Sequence, residues 1–179
     1  MEDPGSRHSG RCTSPLGGAL DVHRIGMFGC SKGGTATALV MSEDRRVRAG
    51  LSLDAPMQPT VTTELDRPFL LVTAEFGRAE EPSVAEFWSH LRGWRLNLRA
   101  EGAVHGSYGD YQVLIPQPAG AVGMSEEELR EWTGTLDPAR AVRIQQAYPL
   151  AFFDLHLRNR NGHLLDGPSA AFPEVEFLP

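Results

Sequence analysis

From Val22 onward, apolar residues recur in two alternating rhythms, short blocks of strand length and longer stretches with helical spacing. Arg24–Phe28 reads as a strand, and Gly33–Asp44 as a helix that turns Ala36, Leu39 and Val40 toward a core. Val47–Leu53 (VRAGLSL) is the next strand, closed by Asp54-Ala55-Pro56. Pro68–Ala74 (PFLLVTA) is apolar almost without a break, which suits a strand covered on both faces of a parallel sheet. A helix over Ser83–Arg92 follows, its stripe formed by Val84, Phe87, Trp88 and Leu91, with Pro82 and Ser83 at its start. Trp94–Ala100 (WRLNLRA) alternates as a more exposed strand would, and a loop holding His105 comes after it.

Residues 111–137 are more mixed, with a short acidic helix over Ser125–Trp132 that Ser125 can cap. Pro138–Leu157 predicts a long amphipathic helix, kinked at Pro149. From Asn159 the chain reads as loop, with a last short strand at Val175–Leu178. Strands alternating with helices across long crossovers predict right-handed βαβ units, and so an α/β fold with a parallel sheet. Residues 1–19 carry Gly, Pro, Ser and Arg but few large apolar side chains, the composition of a disordered leader ahead of a folded region at 20–179.

Composition narrows the classes. With 179 residues, 41% hydrophobic and 22% charged, the chain suits one globular domain. A net charge of −6 gives no footing for nucleic acid or an anionic membrane surface. No apolar run is long enough to span a bilayer. The start, Met-Glu-Asp-Pro-Gly, has no apolar signal region, so the default localisation is cytoplasmic. Cys12 and Cys30 make no disulfide framework, and Cys30 reads as a small filler residue. The six histidines lack metal-ligand spacing, and no phosphate loop or dinucleotide fingerprint occurs, so neither metal nor cofactor is expected.

The chemistry concentrates in Gly29-Cys30-Ser31-Lys32-Gly33, a Gly-x-Ser-x-Gly between a strand and a helix. That context is what a nucleophile elbow needs: a turn too tight for flanking side chains, with the serine exposed on its corner. Functional groups of a parallel sheet gather at the carboxyl ends of its strands. Ser31 follows the first strand, Asp54 the second and His105 the fourth, the chain order of a Ser–acid–His triad. His105, flanked by Gly102 and Gly106, is the candidate base. His23 precedes the elbow strand at the wrong end of the sheet, His90 and His156 lie within helices, and His8 and His163 lie in loops. For the acid, Asp54 is favoured over Glu75, which ends the third strand, while Asp44 and Asp66 read as solvated helix-end and loop residues. The backbone N–H of Lys32 is one candidate oxyanion donor; the Lys32 side chain reads as solvated.

The segments GMFGCSKGG, LSLDAPM and GAVHGSYGDYQVLIPQ resemble the serine, aspartate and histidine segments of platelet-activating factor acetylhydrolase-like α/β hydrolases. The tail AYPLAFFDLHLRNRNGHLLDGPSAAFPEVEF is similar to the terminal helix and tail of bacterial lipases and esterases of that group. The resemblance covers about residues 18–179, and its placement of the acid after the strand that follows the elbow strand favours Asp54. It implies a serine esterase acting on small or lipid-like acyl esters through Ser31, Asp54 and His105. It also implies a hydrolase fold truncated to its part from the elbow strand to the C-terminus, without the upstream loop that supplies the second oxyanion donor. Loss of one such donor costs roughly 2.7–4 kcal/mol of transition-state stabilisation. The elbow strand is then an open sheet edge suited to self-association. Two other readings stay open: a hydrolase-like fragment that binds or assembles without turnover, and a peptidase of the same fold.

Overall fold

The computed structural model describes residues 18–74 and 76–179. The leader expected at 1–19 lies, apart from its last two residues, outside them, as do Cys12 and Glu75. Five strands form one sheet in chain order: β1 (Ile25–Cys30), β2 (Val47–Leu53), β3 (Phe69–Thr73), β4 (Arg95–Ala100) and β5 (Val175–Leu178). The first four are parallel, and β5 joins β4 antiparallel. The helices are α1 (Lys32–Glu43), α2 (Pro82–His90), the short α3 (Tyr111–Leu114) and α4 (Pro116–Ala119), α5 (Glu126–Thr133) and α6 (Pro138–Arg158).

The period of two along the central strands divides the core. Leu51, Leu53, Leu70, Val72 and Leu98 face α6, whose Ile144, Tyr148 and Phe152 fill that layer. Phe69 and Leu71 face the other way, onto Met41 of α1 and Val84 and Phe87 of α2. The sheet is therefore covered on both faces, as the unbroken apolar run of β3 requires.

Two expectations are corrected. The alternation of strand and helix fails once: residues 54–68, between β2 and β3, contain no helix. Ala55, Met57, Val61 and Leu65 of that connection pack into the α1–α2 layer, and the Arg67 guanidinium donates to the carbonyls of Asp44 and Val47. Irregular chain thus covers this part of the sheet in place of a helix. Second, β4 is an inner strand with Asn97, Leu98 and Ala100 buried, because β5 pairs along its outer side and its alternating arginines are held at the surface. Arg99 pairs with Glu176 at 2.7 Å, and Arg95 lies over the Trp88 ring. Helix α6 is one long helix that contains Pro149, and that proline lines a small apolar cavity between the sheet and α6. Among the described residues β1 is an edge strand, and Phe28 on it is 58% exposed.

Candidate active site

The elbow is built by the join of β1 to α1. Cys30 pairs with Leu53 across the sheet, and the next N–H, that of Ser31, donates to the Leu53 carbonyl at 2.9 Å. Ser31 then turns to φ 54°, ψ −128°, a conformation that costs a side-chain-bearing residue on the order of 1–3 kcal/mol. Its carbonyl accepts from Gly34 and Thr35, which starts the helix at once. The turn is tight enough that a Cβ on Gly29 would lie 2.4 Å from the Gly33 carbonyl carbon. A Cβ on Gly34 would lie 2.3 Å from Ser52 Oγ. The Lys32 N–H, first in α1, has no acceptor among the described residues and lies beside Ser31 in the chain. Cys30 is half-buried and packs on the α6 side of the sheet; burial, and then the Asp54 charge, pushes its thiol up.

Asp54 leaves β2 one position beyond the residue that holds Ser31. Its N–H donates to Val72 at 2.7 Å, and its backbone is at φ 45°. The carboxylate is 3% exposed. Oδ1 accepts the Ala74 N–H at 2.8 Å, and Oδ2 lies 2.7 Å from Nδ1 of His105, a half-exposed imidazole. A buried carboxylate whose other oxygen is held by a backbone donor orients the ring that it meets.

His105 comes from beyond β4 and reaches back over the end of β3. Gly102, at φ 74°, turns the chain, and its carbonyl accepts the N–H groups of Thr135 and Leu136. His105 opens a single 3₁₀ turn, residues 105–108, that is pinned from three sides. The fully buried Ser107 hydroxyl accepts from the Val104 N–H and donates to the Thr133 carbonyl, both at 3.0 Å. Gln145 of α6 donates to the Ser107 carbonyl at 2.7 Å. The Tyr108 hydroxyl donates to the Thr73 carbonyl at the end of β3, and burial holds that phenol far above its ordinary range.

Asp54 and His105 are thus in direct contact, and Ser31 stands at the end of the strand next to Asp54, adjacent strands being about 4.8 Å apart. Glu75, the alternative acid, lies outside the described residues. Among the other described histidines, His156 packs against Trp94 and Phe152, His163 pairs with Asp166 on the surface, and His90 ends α2. Among the described residues no three His, Cys, Asp or Glu side chains gather as a metal site. Ser107, Gln145 and Tyr108 were not singled out by sequence, where nothing in HGSYGDY distinguishes a buried serine from a loop serine.

Residues 11–166 match the sequence profile of the family described as platelet-activating factor acetylhydrolase, isoform II. The chain belongs to that family. A probable 1-alkyl-2-acetylglycerophosphocholine esterase from Arthroderma benhamiae is 28% identical over 167 residues, 87% of this chain and 43% of that protein. A platelet-activating factor acetylhydrolase from Cavia porcellus is 26% identical over 146 residues, 79% of this chain and 32% of its own length. Among solved structures, a ferulic acid esterase from Streptomyces cinnamoneus superposes with a TM-score of 0.78 at 35% identity. That match covers 89% of this chain and 48% of the esterase. The fold is accordingly the α/β-hydrolase fold of this family, and the chain spans less than half the length of each of these proteins.

Proposed function

We propose that this chain hydrolyses carboxylic esters through Ser31, His105 and Asp54. The observation that carries the reading is the 2.7 Å contact between Asp54 and His105, made beside a serine in a strained turn at the next strand end. In this mechanism Ser31 Oγ attacks the ester carbonyl carbon while its proton passes to Nε2 of His105. Asp54 fixes the tautomer by accepting at Oδ2 and stabilises the imidazolium. The carbonyl oxygen, now an oxyanion, accepts from the Lys32 N–H. Collapse breaks the bond to the alkoxy oxygen, which takes the proton from His105 and leaves as the alcohol. Water then attacks the acyl-serine, giving its proton to His105. The acid departs as His105 returns that proton to Ser31.

The relatives named for an acetyl ester, and the solved esterase named for ferulic acid, support a substrate with a small or aromatic acyl group. The test is hydrolysis of 4-nitrophenyl acetate by the full chain, together with labelling by a fluorophosphonate. Turnover and labelling that both vanish in Ser31→Ala, with a loss of about 10⁴-fold or more, support the reading. A folded chain that neither turns over the ester nor takes the probe overturns it, and a hydrolase-like binding module takes its place.

A further inference from the structure

Among the described residues, exposed large apolar side chains concentrate in the segment that follows the candidate histidine. Of nine large hydrophobic side chains that stand exposed, five fall between residues 111 and 132: Tyr111, Val113, Leu114, Val122 and Trp132. Two are aromatic and touch each other: the Tyr111 and Trp132 rings are 6.0 Å apart at 64°, an edge-to-face pair, with the residues 55% and 46% exposed. Aromatic side chains of this size normally contribute to a core or to an interface, and exposed patches of them mark binding surfaces.

The pair is anchored to the residue that follows His105. A Cβ on Gly106 would lie 2.2 Å from the Trp132 carbonyl oxygen and 3.8 Å from the Tyr111 Cβ, so Gly106 is wedged between the two. Resting on the reading of His105 as the acid that protonates the departing alkoxide, we propose that Tyr111 and Trp132 form the subsite for the alcohol portion of the ester, selecting an uncharged aryl or long-chain alcohol. The proton goes from His105 to the leaving oxygen, so the leaving group must stand on the histidine side of the site, and the apolar surface beside Gly106 is there to receive it. Charge narrows the class. Helix α5, which carries Trp132, has Glu126, Glu127, Glu128 and Glu131 against Arg130 alone, and Asp110 immediately precedes Tyr111. An anionic alcohol is repelled there, and an uncharged one is not.

The test keeps the acyl group constant and varies the alcohol: 1-naphthyl acetate, ethyl acetate and 4-acetoxybenzoate, assayed with the full chain. In Trp132→Ala and Tyr111→Ala the ratio of kcat/KM for naphthyl over ethyl ester falls about tenfold, while Leu150→Ala on α6 leaves the ratio unchanged. The wild-type chain prefers the naphthyl ester to the anionic benzoate by more than their chemical reactivities dictate. A second measurement needs no turnover: 1-naphthol added to Ser31→Ala quenches tryptophan fluorescence, and the quench disappears in the double variant with Trp132→Ala. An unchanged naphthyl-to-ethyl ratio, or a quench that persists without Trp132, overturns the proposal. Naphthol binding without turnover keeps the subsite and removes the catalytic reading of Ser31; turnover without naphthol binding does the reverse.

Discussion

Asp54 and His105 meet at 2.7 Å although 51 positions separate them and their strands are not neighbours in the sheet. The contact spans the end of β3, where the Ala74 N–H holds the other carboxylate oxygen. The aspartate is therefore held by a bond independent of the histidine loop, and the loop is held by bonds of its own.

Asp54→Asn isolates the role of the charge. Asparagine tolerates the positive φ at this position and keeps an oxygen for the Ala74 N–H, so the fold is retained. Its amide favours the wrong imidazole tautomer, and the expected loss in kcat is about 10⁴-fold. Steady-state hydrolysis of 4-nitrophenyl acetate, with circular dichroism to confirm folding, checks this. If Asp54→Asn keeps its rate and Glu75→Gln loses it, the acid is Glu75.

Ser107→Ala tests how the histidine turn is held. The lost hydroxyl leaves a part-buried N–H of Val104 and a buried carbonyl of Thr133 without their partner. An unsatisfied buried group costs about 1–3 kcal/mol, so the urea midpoint falls by that order. Ester turnover falls with it, because His105 opens the turn that Ser107 anchors. A variant as stable as the parent shows that water or a shifted backbone satisfies both groups.

Much of this architecture was legible in the chain because it depends on local rhythm. The apolar run of β3, the stripe of α2 and the Ser125–Glu128 capping box of α5 each carry a local signal of their element. Asp54 was legible as a strand-end carboxylate. What escaped depends on partners distant in sequence. The β2–β3 connection packs irregular chain through Met57 and Leu65, which are too sparse to show a period. The interior position of β4 is set by a strand that arrives about 75 residues later, so its own alternation misled. Ser107 and Gln145 bond to backbone groups through side-chain geometry that no spacing encodes.

The Arg140–Glu174 pair gives an acid-sensitive tie between α6 and the C-terminal strand. Arg140 Nε lies 2.7 Å from Glu174 Oε1, and the arginine holds the Glu174 carboxyl below its ordinary value of 4.5. The unfolded chain therefore binds the proton first. The pair's contribution is complete above pH 4.5 and is lost as pH falls from there through the depressed folded value. Glu174→Gln is expected to lower the urea midpoint at neutral pH and to flatten its decline across that acidic window. A parallel decline in parent and variant assigns the acid sensitivity to other carboxylates.

The two adjacent glycines at the start of α1 separate packing from helix propensity. A Cβ at Gly34 meets Ser52 Oγ at 2.3 Å and Ala55 Cβ at 2.7 Å, both in the buried layer beneath the elbow. The Ser52 hydroxyl can rotate aside, but Ala55 Cβ and Ser52 Cβ, the latter at 3.0 Å, are fixed to the backbone of β2 and of the φ 45° turn at Asp54. Gly34→Ala therefore forces α1 away from the sheet at a cost of about 1–3 kcal/mol, and Ser31 moves with it. A Cβ at Gly33 meets nothing within 4 Å, and no positive φ is required there. Gly33→Ala removes backbone freedom from the unfolded chain and is expected to raise stability by up to about 1 kcal/mol. Thermal midpoints by circular dichroism should thus move in opposite directions for substitutions one residue apart. Equal destabilisation by both would mean that the space above Gly33 is filled in the protein in solution.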